Sequence, residues 1–186
     1  MTDRSSFTVF GAGGFIGGHL ARHLVAAGHR VSVPGRDVVE RSDPAELADL
    51  GHVVYAIGLT GDFRSRPFDT VAAHVEVQAR LLARSTFDSW LTLSSTRVYA
   101  GLDPAAVAIE DAPLPVRPSR DALYDLSKLT AESLCLGHDD PGVRVARLSN
   151  VCGAGQSVHT CLGSLLDALA RRGEVTVGES PDSSKD

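Results

Sequence analysis

Cysteine is scarce: the 186 residues hold three, Cys135, Cys152 and Cys161. An odd number without metal-type pairing makes neither a disulfide framework nor a zinc knot, and reads as reduced thiols in a cytoplasmic protein. Long runs of one charge are absent, and the net charge is −5. Nothing therefore marks a nucleic-acid surface or an anchor for acidic lipid. The longest apolar runs fall far short of a membrane span. The opening MTDRSS lacks the apolar stretch of a secretion signal. No internal repeat is present, and the one biased segment is the polar end, Glu179 to Asp186. What remains is an ordinary globular composition, 43% hydrophobic and 22% charged, in a chain long enough for one domain with a real core.

The chain is organised around FTVFGAGGFIG, residues 7–17. Four β-formers, Phe7 to Phe10, lead into Gly11, Gly14 and Gly17, and apolar residues then recur at helical spacing through Ile16, Leu20, Leu24 and Ala27. That is strand, glycine turn, helix. Such a turn needs a first glycine for tightness, a second for close approach of backbone to a pyrophosphate, and a third for helix–strand packing. Free N–H groups at the helix start then face the phosphates. Phe15 and Ile16 belong to the same cofactor-binding turn. The second strand, Arg30 to Val33, ends in Pro34-Gly35-Arg36 instead of the acidic residue that holds a ribose in many NAD-binding units. Arg36 suits a 2′-phosphate, so NADP is favoured; Asp37 directly after it keeps NAD open.

Along the chain, Asp43-Pro44 starts a short helix ending near Gly51, with Asp43 as N-cap and Pro44 at the first helical position. Asp37 to Glu40 leaves room for one short strand. Val53 to Gly58 is a buried strand, Pro67 to Arg84 a long helix, and Trp90 to Leu93 a strand running into Ser94-Ser95-Thr96. Gly101 to Pro118 is a Pro/Ala-rich loop. Ser119 to Leu136 is a helix capped by Ser119 and stopped at Gly137. Val143 to Leu148 is a strand, Val158 to Arg172 a helix, and Val175 to Val177 a last strand. Alternating strands and helices imply an α/β fold, a doubly wound parallel sheet with helices on both faces.

Tyr124 and Lys128 are four residues apart in a helix and share a face. A tyrosine hydroxyl is a poor base near neutrality, and a neighbouring ammonium favours its phenolate. The pair can then give or take a proton at a carbonyl or alcohol. Ser95 ends a parallel strand at the carboxyl edge, where ligands sit in open α/β sheets, and its hydroxyl can hold a reacting oxygen. His19 and His23 share a helix face but lack further ligands, so no metal site is assigned.

Taken together, these pieces resemble the extended short-chain dehydrogenase/reductase family, NAD(P)-dependent epimerases, dehydratases and reductases of nucleotide sugars. The matching stretches, in family order, are GAGGFIG (11–17), TLSSTRVYAG (92–101), Glu110 to Pro115, YDLSKLTAE (124–132) and RLSNVCGAG (147–155). The resemblance implies a Rossmann-like domain over 1–178, with 179–186 a polar tail where the family continues into its substrate lobe. It implies Tyr124 as general acid/base, Lys128 as its ribose-binding partner, and Ser95, ahead of Ser94, as the third catalytic member. It implies Ala56 and Gly58 at the cofactor, and Ser95, Thr96 and Asn150 at the substrate. The implied activity is hydride transfer on a sugar nucleotide, as epimerase or reductase, by a cytoplasmic homodimer paired through the helices 67–84 and 119–136. The alternatives are a dinucleotide-binding, redox-sensing module without turnover, and an inactive truncated member. Departures from the family pattern are Thr96-Arg97 where dehydratases carry an acid, His74 for an asparagine, and Cys152 for a tyrosine.

Overall fold

The strands β1 (Ser6–Phe10), β2 (Arg30–Ser32), β3 (His52–Tyr55), β4 (Ser89–Ser95) and β5 (Val143–Leu148) form one all-parallel sheet, ordered β2-β1-β3-β4-β5. The register places Phe10 beside Tyr55, Tyr55 beside Thr92, and Ser95 beside Leu148. The computed structural model describes residues 5–41, 43, 47, 49–59, 62–103, 105–158 and 160–175. The chain divides into two compact units, Met1–Leu148 and Ser149–Asp186, and the sheet lies in the first.

Consecutive residues Thr8, Val9 and Phe10 are all buried, as are Val53, Val54 and Tyr55, so the two central strands are covered on both faces. That is the arrangement helical crossovers impose on a parallel sheet. In β4 the pattern alternates, with Trp90, Thr92 and Ser94 buried. Trp90 stacks on Tyr55 at 5.9 Å and lies 6.2 Å from Phe10. Such ring pairs add about 0.5–1.5 kcal/mol beyond their burial, so this cluster pins the three strands to each other. Leu50, Leu81, Leu82 and Cys135 complete the core around it.

The connections are helical. α1 (Phe15–Ala26) follows β1, and α2 (Arg36–Arg41) follows β2. A long helical run after β3 comprises α3 (Pro67–Val71), a π-helical turn (Ala72–Glu76) and α4 (Val77–Arg84). Pro67 suits the first turn, where no N–H is required of it. A 3₁₀ turn (Thr96–Tyr99) leaves β4, and α5 (Leu123–Leu136) leads to β5. Gln78 of α4 donates to the Ala131 carbonyl of α5 at 3.0 Å and so joins two helices through a buried amide. In the second unit, α6 (Cys161–Arg172) is capped by Thr160, whose hydroxyl accepts from Gly163 N–H at 3.1 Å, and stops at Gly173 with φ +73°.

The sequence-based expectations are corrected at several points. Asp37 to Glu40 is helix, not strand: Val39 is buried while Asp37 is exposed and Val38 half-buried, a one-sided pattern that one helical turn satisfies. The α5 helix starts at Leu123, because the Ser119 hydroxyl accepts from Ala122 N–H within the preceding turn instead of capping the helix. α6 begins at Cys161, not Val158, since Thr160 supplies the cap. β3 stops at Tyr55, where Ala56 N–H still bonds Phe10 but the chain then turns away. Val175 is in no strand, and Thr176 and Val177 lie outside the described residues, as do Pro44 to Glu46 of the expected short helix. Among the described residues no helix is long and apolar enough to cross a membrane.

Candidate active site

The chain winds from β1 outward to β2, then returns to the far side of β1 to make β3. A crevice therefore opens beyond the carboxyl ends of β1 and β3, where open α/β sheets bind ligands. Two turns line it. Gly11 follows β1 with φ +87°, and a Cβ there would lie 2.7 Å from the Ala56 carbonyl carbon in the turn after β3. A Cβ on Gly17 would overlap the Gly11 carbonyl, so α1 approaches the turn as closely as backbone allows. Gly14 differs: it has ordinary extended dihedrals, and its only close neighbour would be Gly11 O at 3.3 Å. It is the N-cap of α1, no side chain caps this helix, and no acidic residue occupies its first turn. Phe15 and Ile16 begin the helix, half-buried. A twelve-residue helix start left clear of carboxylates, behind a turn stripped of side chains, fits a dinucleotide pyrophosphate. Arg36 opens α2 beyond β2, and Asp37 beside it folds back, with its Oδ1 2.8 Å from where a Gly35 Cβ would sit.

A second cluster forms where β4 ends. The paired serines part here. Ser94 is buried and donates to Glu132, which Arg147 grips with a fork of bonds at 2.7 and 3.1 Å while also reaching the Tyr99 hydroxyl at 2.7 Å. Ser95 accepts from Arg97 N–H at 3.2 Å, and its hydroxyl lies close enough to the Tyr124 phenol to favour the phenolate. Thr96 begins the 3₁₀ turn directly after it. Tyr124 is only 7% exposed. Burial raises its ionisation above the ordinary phenol range, and the Ser95 bond and the Arg97 charge oppose that rise. Lys128 is also buried; its Nζ donates to Leu93 O at 2.9 Å and lies 6.0 Å from the Tyr124 ring centroid. Desolvation lowers the Lys128 pKa to about 8, partly offset by Glu132. The Arg97 charge favours the phenolate, and Lys128 stands at a comparable distance from the ring, 6.0 Å against 5.6 Å for Arg97.

His74 sits in the π-helical turn, 1% exposed, edge-on to Tyr124 at 5.2 Å. Its Nε2 accepts from Leu59 N–H at 3.3 Å, which assigns the proton to Nδ1. Nδ1 then donates to Ser127 Oγ at 2.8 Å, and Ser127 donates onward to the Tyr124 carbonyl at 2.8 Å. Every group in this chain has one direction, and the imidazole is neutral: burial first, and Lys128 second, lower its pKa to about 3. A Cβ on Gly58 would stand 3.1 Å from His74 Nε2 and 3.6 Å from Lys128 Nζ, so the turn after β3 links the glycine crevice to the tyrosine pocket.

The structure thus brings Ser95 to Tyr124, Gly58 to Lys128, and Gly11 to Ala56. Asn150 is exposed and belongs to the second unit. Ser127, Asp125 and Phe63 were not singled out in the sequence. Phe63 packs on Tyr124 at 5.5 Å and is 2% exposed. Only its place in the YDLSK stretch marked Ser127, and nothing local marked Phe63.

Fold and glycine turn together define a Rossmann-like protein built for a nicotinamide dinucleotide. The sequence matches the NAD dependent epimerase/dehydratase family over residues 7–182, and the chain belongs to that family. Among solved structures it is similar to TunA, an NAD-dependent NDP-hexosamine 5,6-dehydratase of tunicamycin biosynthesis, with 25% identity and a TM-score of 0.73 over 91% of this chain and 62% of that one. It is similar to RMD from Pseudomonas aeruginosa, solved with NADPH, at 31% identity and a TM-score of 0.67, covering 89% of this chain and 61% of that. UDP-glucuronic acid 4-epimerase from Bacillus cereus, solved with UDP-glucuronic acid and NAD, shares the fold at 20% identity, TM-score 0.70, covering 89% and 63%. The chain therefore spans about three-fifths of the length of these relatives. No match was found among curated protein sequences.

Proposed function

We propose that the chain is the cofactor-binding and proton-transfer part of an NAD(P)-dependent oxidoreductase or epimerase that acts on a sugar nucleotide. The observation that carries this reading is the meeting of Tyr124 and Lys128 of α5 with the turn after β3, where a Gly58 Cβ would stand 3.6 Å from Lys128 Nζ, at the same sheet edge as the crevice of Gly11, Gly14 and Gly17. The turn and the uncapped start of α1 would hold the pyrophosphate, Gly58 and Lys128 the nicotinamide-side ribose, and Arg36 the 2′-phosphate of NADP. Bound nicotinamide supplies hydride chemistry. Tyr124, protonated at neutral pH by its burial, gives a proton to a carbonyl oxygen or recovers one from a hydroxyl. Ser95 fixes that oxygen beside the phenol. A nucleoside-diphosphate sugar is the substrate class in keeping with TunA, an NDP-hexosamine dehydratase. The exposed Phe68 and Val71 of α3 and Leu134 and Leu136 of α5 support pairing of two copies through these helices.

Calorimetric titration of NADP⁺ and NAD⁺ tests the reading. Wild type is expected to bind both, NADP⁺ more tightly. Gly14→Val, whose Cβ would stand 3.3 Å from the Gly11 carbonyl oxygen, is expected to fold and bind neither. Equal affinity in the variant would remove the crevice as the cofactor site.

A further inference from the structure

The buried face of α5 is largely polar. Tyr124, Ser127, Lys128, Ala131, Glu132 and Cys135 turn inward, while Leu134 and Leu136 are exposed. Three consecutive residues of β4 stitch this face down. Thr92 Oγ1 lies 3.1 Å from Cys135 Sγ, Leu93 O accepts from Lys128 Nζ at 2.9 Å, and the Ser94 hydroxyl donates to Glu132. The last stitch ends on a buried anion. Arg147 of β5 holds both oxygens of Glu132, with Nη2 at 2.7 Å from one and Nε at 3.1 Å from each. Its Nη1 donates to the Tyr99 hydroxyl at 2.7 Å and to Glu110 O at 2.9 Å, so the guanidinium is itself fixed from two further sides. We infer that Glu132, gripped by Arg147 and Ser94, is the positioning residue that holds α5 in register on the sheet and so sets Tyr124 and Lys128 at the crevice; its bearing on catalysis rests on the role proposed above for Tyr124.

Apolar packing alone would not set that register. Hydrophobic contact is non-directional, so a leucine-faced helix can slide or roll slightly on a sheet at small cost. Bonds to a carboxylate are directional, and an unpaired carboxylate in the interior is costly. A displaced α5 would open the fork and leave Glu132 buried without its partners. Tyr124, Lys128 and Glu132 recur at every fourth residue, so Glu132 lies one turn from Lys128 and two from Tyr124 along one stripe of the helix. Two turns of helix transmit the constraint as a rigid body. Glu132 also supports the Lys128 ammonium against the desolvation that weakens it. Replacing a buried ion pair with apolar side chains of similar size is often neutral for stability, whereas removing one partner is strongly destabilising. Stability and register are therefore separable at this pair.

The test is nuclear magnetic resonance of the cofactor-free chain carrying ring-¹³C tyrosine. The chain has three tyrosines, and Tyr124→Phe assigns the Tyr124 signal. That signal reports the register, because the Phe63 and His74 rings stand 5.5 and 5.2 Å from the Tyr124 ring. Tyr55, stacked on Trp90, is the control. In Glu132→Leu/Arg147→Met the urea midpoint is expected to stay near wild type, the Tyr124 signal to move or split, and the Tyr55 signal to stay. Affinity for NAD⁺, by calorimetry, is expected to fall roughly tenfold, as for loss of one hydrogen bond to a charged group. Arg147→Met alone, which leaves the carboxylate unpaired, is expected to lower the midpoint. Arg147→Lys, which restores the charge, should bring the Tyr124 signal most of the way back. Glu132→Gln/Arg147→Met, which keeps an acceptor for Ser94, repeats the comparison should the first pair not fold. An unmoved Tyr124 signal in the folded double variant would overturn the inference, as would equal movement of Tyr55, the mark of general loosening. The signal needs neither cofactor nor turnover. A chain that binds no NAD⁺ would count against the proposed function and leave the register result standing.

Discussion

The turn after β1 and the pocket after β4 share one sheet edge and are built in opposite ways. The turn is made by removing side chains: Gly11 lies against Ala56, and Gly17 against Gly11, within seven residues of chain. The pocket is made by adding them: Ser95, Arg97, His74, Ser127 and Tyr124 come from three segments, with directed hydrogen bonds from Arg97 to Ser95 and from His74 through Ser127 to the Tyr124 carbonyl. Backbone fixes the first whatever the pH. The second depends on which groups carry protons.

The comparison predicts where each region breaks. The largest effect is chemical and belongs to the pocket. In a chain extended through the substrate lobe, Tyr124→Phe is expected to lower turnover about 10²–10⁴-fold with cofactor affinity intact. Ser95→Ala should lower turnover, again with little change in binding, whereas Lys128→Met should damage both. Steady-state rates with nucleoside-diphosphate sugars, alongside calorimetry, check the split. Next is the turn. Gly17→Ala drives a Cβ into the Gly11 carbonyl and is expected to destabilise the fold by about 3 kcal/mol or more in urea unfolding. Gly14→Val, three residues earlier, should leave stability within about 1 kcal/mol, which confines the backbone requirement to Gly11 and Gly17.

A third effect sharpens the contrast through pH. The ordinary histidine pKa of 6.5 is lowered to about 3 in folded His74. Between those values the unfolded chain binds a proton that the folded chain refuses. Stability is therefore intact above pH 6.5 and declines as pH falls toward 3. Relative to His74→Asn, wild type should lose about 3 kcal/mol between pH 7 and pH 4, measured by denaturant unfolding at each pH. The turn holds no titratable group, so Gly17→Ala should show the same pH slope as wild type. The smallest effect is at the edge of the crevice. Arg36→Ala is expected to weaken NADP⁺ roughly tenfold and NAD⁺ little, one charge-assisted hydrogen bond being the difference. Equal weakening would reassign the loop.

The two regions also differ in how far they could be read from the sequence. Glycine spacing, β-formers before it and helical periodicity after it are all local, so the crevice was legible in residues 7–17. The same holds for the parallel sheet, because its central strands are short apolar runs separated by helical patterns. Ser95, Tyr124 and Lys128 stood out through family resemblance. The link from His74 to Ser127 did not, because the two are 53 residues apart and neither position follows a period. Asp37 to Glu40 misled because Val38 and Val39 favour strands, while burial of only one of them decides the outcome. The electrostatic roles of Lys128 and Arg97 depend on where each long side chain ends, which spacing along a helix does not specify.

The π-helical turn at Ala72–Glu76 sets the phase of the helical run around it. Thr70, His74, Gln78 and Leu82 recur every four residues and are all buried. On an ideal helix of 3.6 residues per turn, each such step drifts by about 40°, and the row would wind off the protein's interior. Hydrogen bonds that reach one residue further take up part of this drift, so the row stays inward across the turn. Counting along this segment is thereby constrained. One residue removed between His74 and Gln78 rotates Gln78, Leu81 and Leu82 by about 100° relative to His74, exchanging core for solvent. The long loop between Gly101 and Pro118, largely exposed, carries no such phase and admits changes of length.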